Sequence, residues 1–534
     1  MGKTKQSWFF LICAILLLGL TQLPFFYAFA FGSENHVFSG FLINPLDGNS
    51  YLAKMYQGYR GDWTFTLPYT AQAGKGSFLF IFYILLGHIA RILNIPLIIF
   101  FHLARGFSSL VLVYTISELI KVLFDDVLIY RLAMIFACFG SGMGWLMMPS
   151  GKVTSDFWVA EAYPFLSSFV NPHFCLGIAL MIWLIKFLIE NQPPAKFSMY
   201  MYIAAASVIL ALLVPFALMI VLVISICSLF ERLLILLKEK QSVFNITSDG
   251  KFRIFISILS GGLPVGVYQL YITNANVLLK GWQAQNVTPS PPIWDLIISF
   301  CPLIIFAIAG AYIAVRKKKT QWYPVVLWLV ITMIFVYTPW SLQRRFLFGF
   351  YIPVVLLAML ILQFLKTQGS LKKFWIIILL SALFISSLTT NFVLEMTAFY
   401  GIKTNDPMLF LTRSESQALN WINTNTPPDS LVLASPQIGL FIPAQTGRRV
   451  IYGHPYETVD AAEKELQVTW FFSKFGLNSS QLQLKYFLSS NEVDYIFWGE
   501  KERSLSKIHI DPFEINWVEP VFKDNEVTIF QVIQ

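Results

Sequence analysis

The chain has 534 residues, of which 56% are hydrophobic, 16% aromatic and only 13% charged, with a formal net charge of +8 and a mean hydropathy of +0.63. Soluble domains average about 45–50% apolar and about 25% charged residues, so a soluble enzyme is excluded and a polytopic membrane protein is implied. The positive balance then belongs to cytoplasmic loops, and no nucleic-acid partner is expected.

Lys3 and Lys5 precede an apolar run at 8–31. It is too long for a signal-peptide core and lacks a small-residue cleavage site, so it reads as a retained first span with a cytoplasmic N-terminus. Further spans are expected at 97–121, 127–147, 173–190, 198–213, 215–237, 252–273, 294–315, 322–339, 347–366 and 373–394, eleven in all. A further run, 77–94 (SFLFIFYILLGHIARILN), breaks the topology if it spans. Lys238 and Lys240 with Lys251 and Arg253, then Arg316 to Lys319, then Lys366 with Lys372 and Lys373, are expected inside. That places loops 148–172, 274–293 and 340–346 outside, with everything after 394. Segment 118–126 is then inside, so only 97–117 crosses between residues 32 and 118. The run 77–94 becomes a short amphipathic helix at the outer face. Cys13, Cys138, Cys175, Cys227 and Cys301 lie in or beside apolar segments without metal spacing and read as packing residues.

After residue 394 the composition becomes that of a soluble domain, which divides the chain into a membrane module (1–394) and an extracytoplasmic domain (395–534). SESQALNWINTNTPPDS predicts a helix opened by Ser414 and stopped by Pro427 and Pro428. LVLASP, RRVIYG, VDYIFWG and EVTIFQVI predict strands, and ETVDAAEKELQVTWFFSK an amphipathic helix. The alternation predicts a compact α/β or α+β domain.

The unusual residues collect in the outer loops. Loop 32–76 holds Glu34, Asp47 and Asp62 among Tyr51, Tyr56, Tyr59 and Trp63; loop 148–172 holds Asp156 and Glu161, with His173 just beyond. Loop 274–293 is rich in amides and proline around Trp282, and loop 340–346 holds Gln343, Arg344 and Arg345. The last pair defies the positive-inside rule: either a helix is miscounted or the guanidinium forks are kept outside to bind an anion such as phosphate. The spans carry almost no central charge, Arg105 and Lys186 coming nearest, which argues against an ion-coupled transporter. A carboxylate can act as general base towards a hydroxyl while arginines neutralise a phosphate leaving group. No nucleotide is available outside the cell membrane, so an activated sugar there arrives on a lipid, and the pieces suit sugar transfer.

An acid followed four residues later by a tyrosine (DGNSY, Asp47 and Tyr51) sits in a long outer loop after the first helix. With the short non-spanning helix, the second acidic outer loop and the extracytoplasmic tail, this resembles the multispanning glycosyltransferases of the GT-C superfamily. The tail ALNWINTNTPPDSLVLASPQIGLFIPAQTGRRVIYGHPYET looks like the tail domains of bacterial membrane proteins of this sort. The resemblance implies a mainly α polytopic bundle and inverting transfer from a polyprenyl-phosphate sugar to a glycan, lipid or protein acceptor. The catalytic acid maps onto Asp47 and the second outer-loop acid onto Asp156 or Glu161. Gly48 follows Asp47 where many members have Glu. No cofactor is expected, a divalent metal being left open.

Plainer readings stand beside each residue. Pro45-Leu46-Asp47-Gly48 and the RGDW around Asp62 are good turn chemistry. Tyr51 suits an interfacial aromatic, Asp156 a helix cap and His173 a structural histidine. Arg344 and Arg345 suit lipid headgroups, and Lys54, Arg60 and Lys75 solvent or headgroup contacts. Arg448, Arg449, His454 and Glu457 form either an acceptor-binding edge or the surface by which the tail docks. The sequons at Asn286 and Asn478 carry little. Two rival functions remain: a lipid-linked glycan flippase, which predicts a polar central cavity and repeated halves that are not visible, and a non-catalytic assembly protein, in which Asp47, Glu161 and the arginines are replaceable.

Overall fold

The computed structural model describes residues 2–30, 35–190, 196–240, 242, 246, 249–369, 373–475, 480–506 and 516–533. Glu34, Lys372 and Asn478 lie outside the described residues. The chain divides into two compact units, one of residues 1–24, 102–268 and 288–399, the other of 25–101, 269–287 and 400–534. The first outer loop and the tail thus fall in the same unit.

All eleven segments expected to span are helical. Among the described residues, seven helices qualify singly by length and apolarity: Trp8–Ala30, Leu97–Leu123, Pro172–Ile189, Pro215–Lys238, Gly250–Ala275, Gln343–Thr367 and Phe374–Lys403. Two more are bent pairs, Val127–Phe139 with Gly144–Ser150 (52°) and Ile293–Phe300 with Leu303–Arg316 (87°). Phe197–Leu213 and Thr320–Val336 are shorter apolar helices, as is Ile81–Leu93 within the awkward run 77–94. Pro302, lacking an N–H, stands at the sharper bend. The last helix runs on past 394 to Lys403 and carries the buried Glu395.

In the first unit the segment Gln343–Thr367 is the most enclosed candidate span, 94% buried over its apolar window. Helix Leu303–Arg316 approaches it closely at Gly310, where a Cβ would collide with the Leu357 carbonyl. Arg105 is fully buried. A guanidinium in that position must satisfy its donors internally. It donates to the carbonyls of Thr21 (3.0 Å), Ser168 (2.9 Å) and Phe169 (3.0 Å) and to Gln22 Oε1 (2.6 Å). Ser168 and Phe169 end the helix Pro164–Val170, where free carbonyls gather. Lys186 is no exception of that kind, being partly exposed and paired with Glu118 and Glu190.

In the second unit, β1 (His36–Phe38) pairs antiparallel with β2 (Phe410–Thr412), joining the start of the first loop to the start of the tail. The tail builds a five-stranded mixed sheet from β3 (Leu431–Leu433), β4 (Arg449–Val450), β5 (Tyr495–Trp498), β6 (Val518–Lys523) and β7 (Thr528–Val532), in the order β4-β3-β5-β7-β6. β3 is parallel to β4 and β5, while β7 is antiparallel to β5 and β6. Side chains alternate across it as strand geometry requires. Leu431, Leu433, Ile496 and Phe530 enter a core with Phe471, Phe472 and Leu484. Val432, Phe497 and Ile529 enter another with Leu419, Ile438, Ala53 and Tyr69, the last two from the first loop.

Three local readings change. The helix Arg413–Asn425 is capped by Thr412 rather than Ser414, because Thr412 and Glu415 close a reciprocal capping box. β6 was not legible because it is an edge strand interrupted by Pro520 and a bulge. The stretch NPLDGNSYLAKMYQGYR is not a loop with turns but a helix, Pro45–Arg60. Asn44 is its N-cap in the left-handed region, Pro45 takes the first helical position, and Gly61 (φ 117°) closes it. This loop helix crosses Ile81–Leu93 at two glycines: a Cβ at Gly58 would strike the Ile84 carbonyl, and one at Gly87 the Met55 carbonyl. Replacing Gly87 by Leu is therefore expected to lower stability by about 1–3 kcal/mol or more through overpacking. Thermal unfolding of the purified protein in detergent checks it, with Gly266→Leu, where the Cβ meets open space, as the near-neutral control.

Candidate functional site

The expected site residues fall into two groups, one in each unit. In the second unit Asp47 lies in the first turn of the loop helix and is half-buried. Asn44 Nδ2 donates to Asp47 Oδ2 at 2.6 Å, and the Asp47 N–H donates back to Asn44 Oδ1 at 3.3 Å. Among the described residues no donor reaches Asp47 Oδ1. The absence of a second acid next to it has a packing cause, since a Cβ at Gly48 would run into the Phe41 ring. Tyr51, one turn on, stacks on Tyr83 with ring centroids 4.3 Å apart.

One further turn along, Lys54 is fully buried rather than solvated. Its ammonium donates to Ser50 Oγ (2.6 Å) and Glu457 Oε1 (2.8 Å) and lies 4.2 Å from the Phe80 ring centroid. Ser50 Oγ closes the triangle to Glu457 Oε1 at 2.9 Å. Glu457 belongs to a strap, 453–458, wound around His454, whose Nδ1 accepts the N–H groups of Tyr456 (3.1 Å) and Glu457 (3.2 Å). Burial pushes the Glu457 carboxyl up, but the Lys54 charge, His454 and the bonds from Lys54 and Ser50 bring it below the usual range. Burial holds the His454 imidazole below the usual histidine range, against the pull of Glu457 and Asp47. Trp282, on the helix Val277–Gln285, packs edge-on to Phe80 at 6.0 Å with its indole N–H unpartnered. The same segment pins the strap: Gln285 donates to the Thr458 carbonyl, and Asn286 Nδ2 to the Tyr456 carbonyl at 2.8 Å.

In the first unit Asp156 is fully buried. Thr154 Oγ1 donates to its Oδ1 (2.6 Å), while the Gly144 N–H (2.9 Å) and Thr390 Oγ1 (2.8 Å) donate to Oδ2. Burial raises its carboxyl above the usual range, the three bonds opposing. Ser299 Oγ bridges it to the buried Asp295, at 3.3 Å and 2.8 Å. Glu161, nearly buried, faces Arg344 instead, with Oε1 3.6 Å from Arg344 Nε. That guanidinium lies 4.8 Å from the Trp158 ring centroid. Arg345 is exposed and lies over Phe216. Gln343 is engaged at both amide atoms, donating to the Thr338 carbonyl (2.7 Å) and accepting from the Ser290 N–H (3.2 Å), so it shapes its loop. His173, in the first turn of Pro172–Ile189, is mostly buried against Phe174.

Lys54, Ser50 and Asp295 escaped the sequence reading as site candidates. Asp47, Ser50 and Lys54 share a helix face by their spacing, a signal available only once 45–60 is read as a helix. Of the polar tail cluster, Arg448 caps the end of Arg413–Asn425 through the carbonyls of Asn423 (2.9 Å) and Thr426 (2.5 Å). Arg449 bonds the Ala71 carbonyl and that of Asp429. These two arginines are structural, whereas Glu457 faces the loop helix. Among the described residues no three His, Cys, Asp or Glu side chains converge as metal ligands.

No family model and no curated protein matches the sequence. Solved structures do. The oligosaccharyltransferase of Archaeoglobus fulgidus, tethered with an acceptor peptide containing the NVT sequon, superposes with a TM-score of 0.56 at 13% identity, over 93% of this chain and 69% of that one. The oligosaccharyltransferase AglB from the same organism, in complex with an inhibitory peptide and a dolichol-phosphate, gives 0.55 at 12% identity over 93% and 69%. At such identities the likeness is one of fold, shared with these oligosaccharyltransferases.

The Lys54–Glu457 pair makes a stability prediction. Lys54→Met leaves a buried carboxylate without its cation and is expected to cost about 3–5 kcal/mol. Lys54→Met with Glu457→Gln should recover most of that. Glu457 and His454 both bind their protons more weakly folded than unfolded, so stability is full above their ordinary ranges and falls as acid titrates the unfolded chain. Unfolding temperatures measured from pH 7 to pH 4 should fall more steeply for wild type than for the double variant.

Proposed function

We propose that this chain is an integral membrane glycosyltransferase that moves a sugar from a polyprenyl-phosphate donor to an acceptor at the extracytoplasmic face, with inversion and with Asp47 as general base. The observation that carries the reading is the Asp47 carboxylate, set in the first turn of a helix, one oxygen held by Asn44 and the other open. A base needs that arrangement: an oriented carboxylate with an oxygen available for the acceptor's proton. The GT-C fold supports the reaction class, and the dolichol-phosphate in the complex of the archaeal neighbour supports a lipid-linked donor. In this reading Arg344 binds the departing phosphate, with Glu161 and the Trp158 face orienting its guanidinium. Arg345 adds positive charge, Gln343 and Asp156 fix the loops on which these groups stand, and Tyr51, Trp282 and His173 contact sugar or lipid. The tail, 395–534, is extracytoplasmic and the N-terminus cytoplasmic.

The test uses purified protein in lipid with a panel of polyprenyl-phosphate sugars, following release of free polyprenyl phosphate. Asp47→Asn is expected to lower kcat by about 10²- to 10⁴-fold with donor KM little changed. Release that survives Asp47→Asn would move the base elsewhere. Arg344→Ala is expected to raise donor KM more than Arg345→Ala does, and equal effects would remove the special role of Arg344.

A further inference from the structure

The tail helices Ala461–Lys474 and Gln481–Ser490 each send one stripe into the tail core, Val468, Phe471 and Phe472 from the first and Leu484 and Leu488 from the second. Helices of a soluble domain keep their remaining surface polar. Here part of that surface carries rings. Gln467 and Trp470 on one helix, and Gln483, Tyr486 and Phe487 on the other, follow the i, i+3, i+4 spacing of a single face, and the two faces line an open cleft of about 760 Å³. Phe487 anchors the cleft, its ring centroid 5.5 Å from that of Phe471 in the core and 6.2 Å from that of Trp470. Tyr486 is 74% exposed. Amides accompany the rings. Gln467 is held at both atoms, accepting from Lys464 Nζ at 3.0 Å and donating to Glu463 Oε1 at 2.8 Å. Asn491 Nδ2 donates to the Phe487 carbonyl at 2.9 Å. Among the described residues nothing bonds the Gln483 amide or the Tyr486 hydroxyl, and Lys464 is the only charged residue of the lining.

We propose that this cleft binds a neutral glycan chain. Clustered exposed rings mark a binding surface rather than a solvated helix pair, and the groups beside them select the ligand. The apolar face of a pyranose ring stacks on tryptophan and tyrosine. Its hydroxyls, each donor and acceptor, match carboxamides, which are also both. Charge selects in the same direction. A lining without carboxylates, its one ammonium already engaged by Gln467, offers an acidic or basic peptide no counter-charge. A bilayer surface is met by apolar tips and free basic residues, not by three amides. Openness selects a chain: pockets for small molecules enclose most of their ligand, whereas an open cleft lets a polymer run through. In the reading above this glycan is the acceptor. That assignment rests on the transferase proposal; the binding does not.

The experiment is biolayer interferometry on the full-length protein in lipid nanodiscs, against a panel of neutral gluco-, manno-, galacto- and N-acetylchito-oligosaccharides. At least one member should bind. Trp470→Ala, Tyr486→Ala and Gln483→Ala should each weaken that binding by about 2- to 10-fold, the weight of one stacked ring or one hydrogen bond. Tyr486 and Gln483 are exposed, so loss of fold does not confound the last two variants. Leu466→Ala, exposed but outside the cleft, should bind as wild type does. Binding by no member of the panel, or binding that all three variants retain, overturns the proposal. So does tryptophan quenching by brominated lipids that falls in Trp470→Phe, since the cleft would then lie on the bilayer. In the polyprenyl-phosphate release assay, with the bound oligosaccharide as acceptor, Tyr486→Ala should raise acceptor KM by about 2- to 10-fold and leave kcat alone. An unmoved KM overturns the acceptor role. If no donor supports release while the cleft variants still lose the glycan, the transferase reading fails and the glycan site stands.

Discussion

The buried ammonium of Lys54 is the constraint on which the loop-and-tail unit depends. A charge with no exposure to water demands an opposite charge and hydrogen-bond acceptors at close range. One acceptor, Ser50, comes from the preceding turn of the same helix, so that helix must be formed. The other, Glu457, lies 403 residues further along the chain, so the tail must be folded in place as well. Neither the loop helix nor the strap can satisfy its charged residue alone. The first turn bearing Asp47 and the strap bearing His454 are positioned as consequences of that pairing.

The same rule sorts the acids of the first unit. Asp156 and Glu161 stand close in sequence and are alternative candidates for one role. Asp156 is enclosed by Thr154, Gly144, Thr390 and Ser299, and so ties its own loop to three other segments of the unit. Glu161 instead keeps a guanidinium oriented over an aromatic face. Both carboxylates are buried, but only Glu161 is coupled to a group with the chemistry to meet an anion. Arg105, satisfied by backbone carbonyls at a helix end, shows that a charge within a span can serve architecture.

In the proposed reading of Asp47, a general base carried by a helix with both ends capped is held more firmly than one on an open loop. The glycines of the loop helix serve that end. Gly58 lets Ile81–Leu93 approach, and Gly48 leaves room for Phe41. The position after Asp47 is thus filled by packing and has no space for a second acid.

The sequence by itself determined that the protein is polytopic, where its apolar helices lie, and that the tail mixes strands with helices. Each is written locally: a bilayer demands about 20 apolar residues per crossing, and a half-buried strand alternates at period two. As candidates, Asp47 is marked by its place after the first helix, and Arg344 by a charge out of register with its neighbours. Only the tertiary structure decided that NPLDGNSYLAKMYQGYR is a helix, that Lys54 is buried, that Asp156 is walled in, and that Glu457 pairs with Lys54. The loop helix has a polar composition and two glycines against it, and its stability comes from packing on Ile81–Leu93 and on the tail core. Contacts between residues hundreds of positions apart leave no periodicity to read, because what selects them is the burial of charge in the assembled unit.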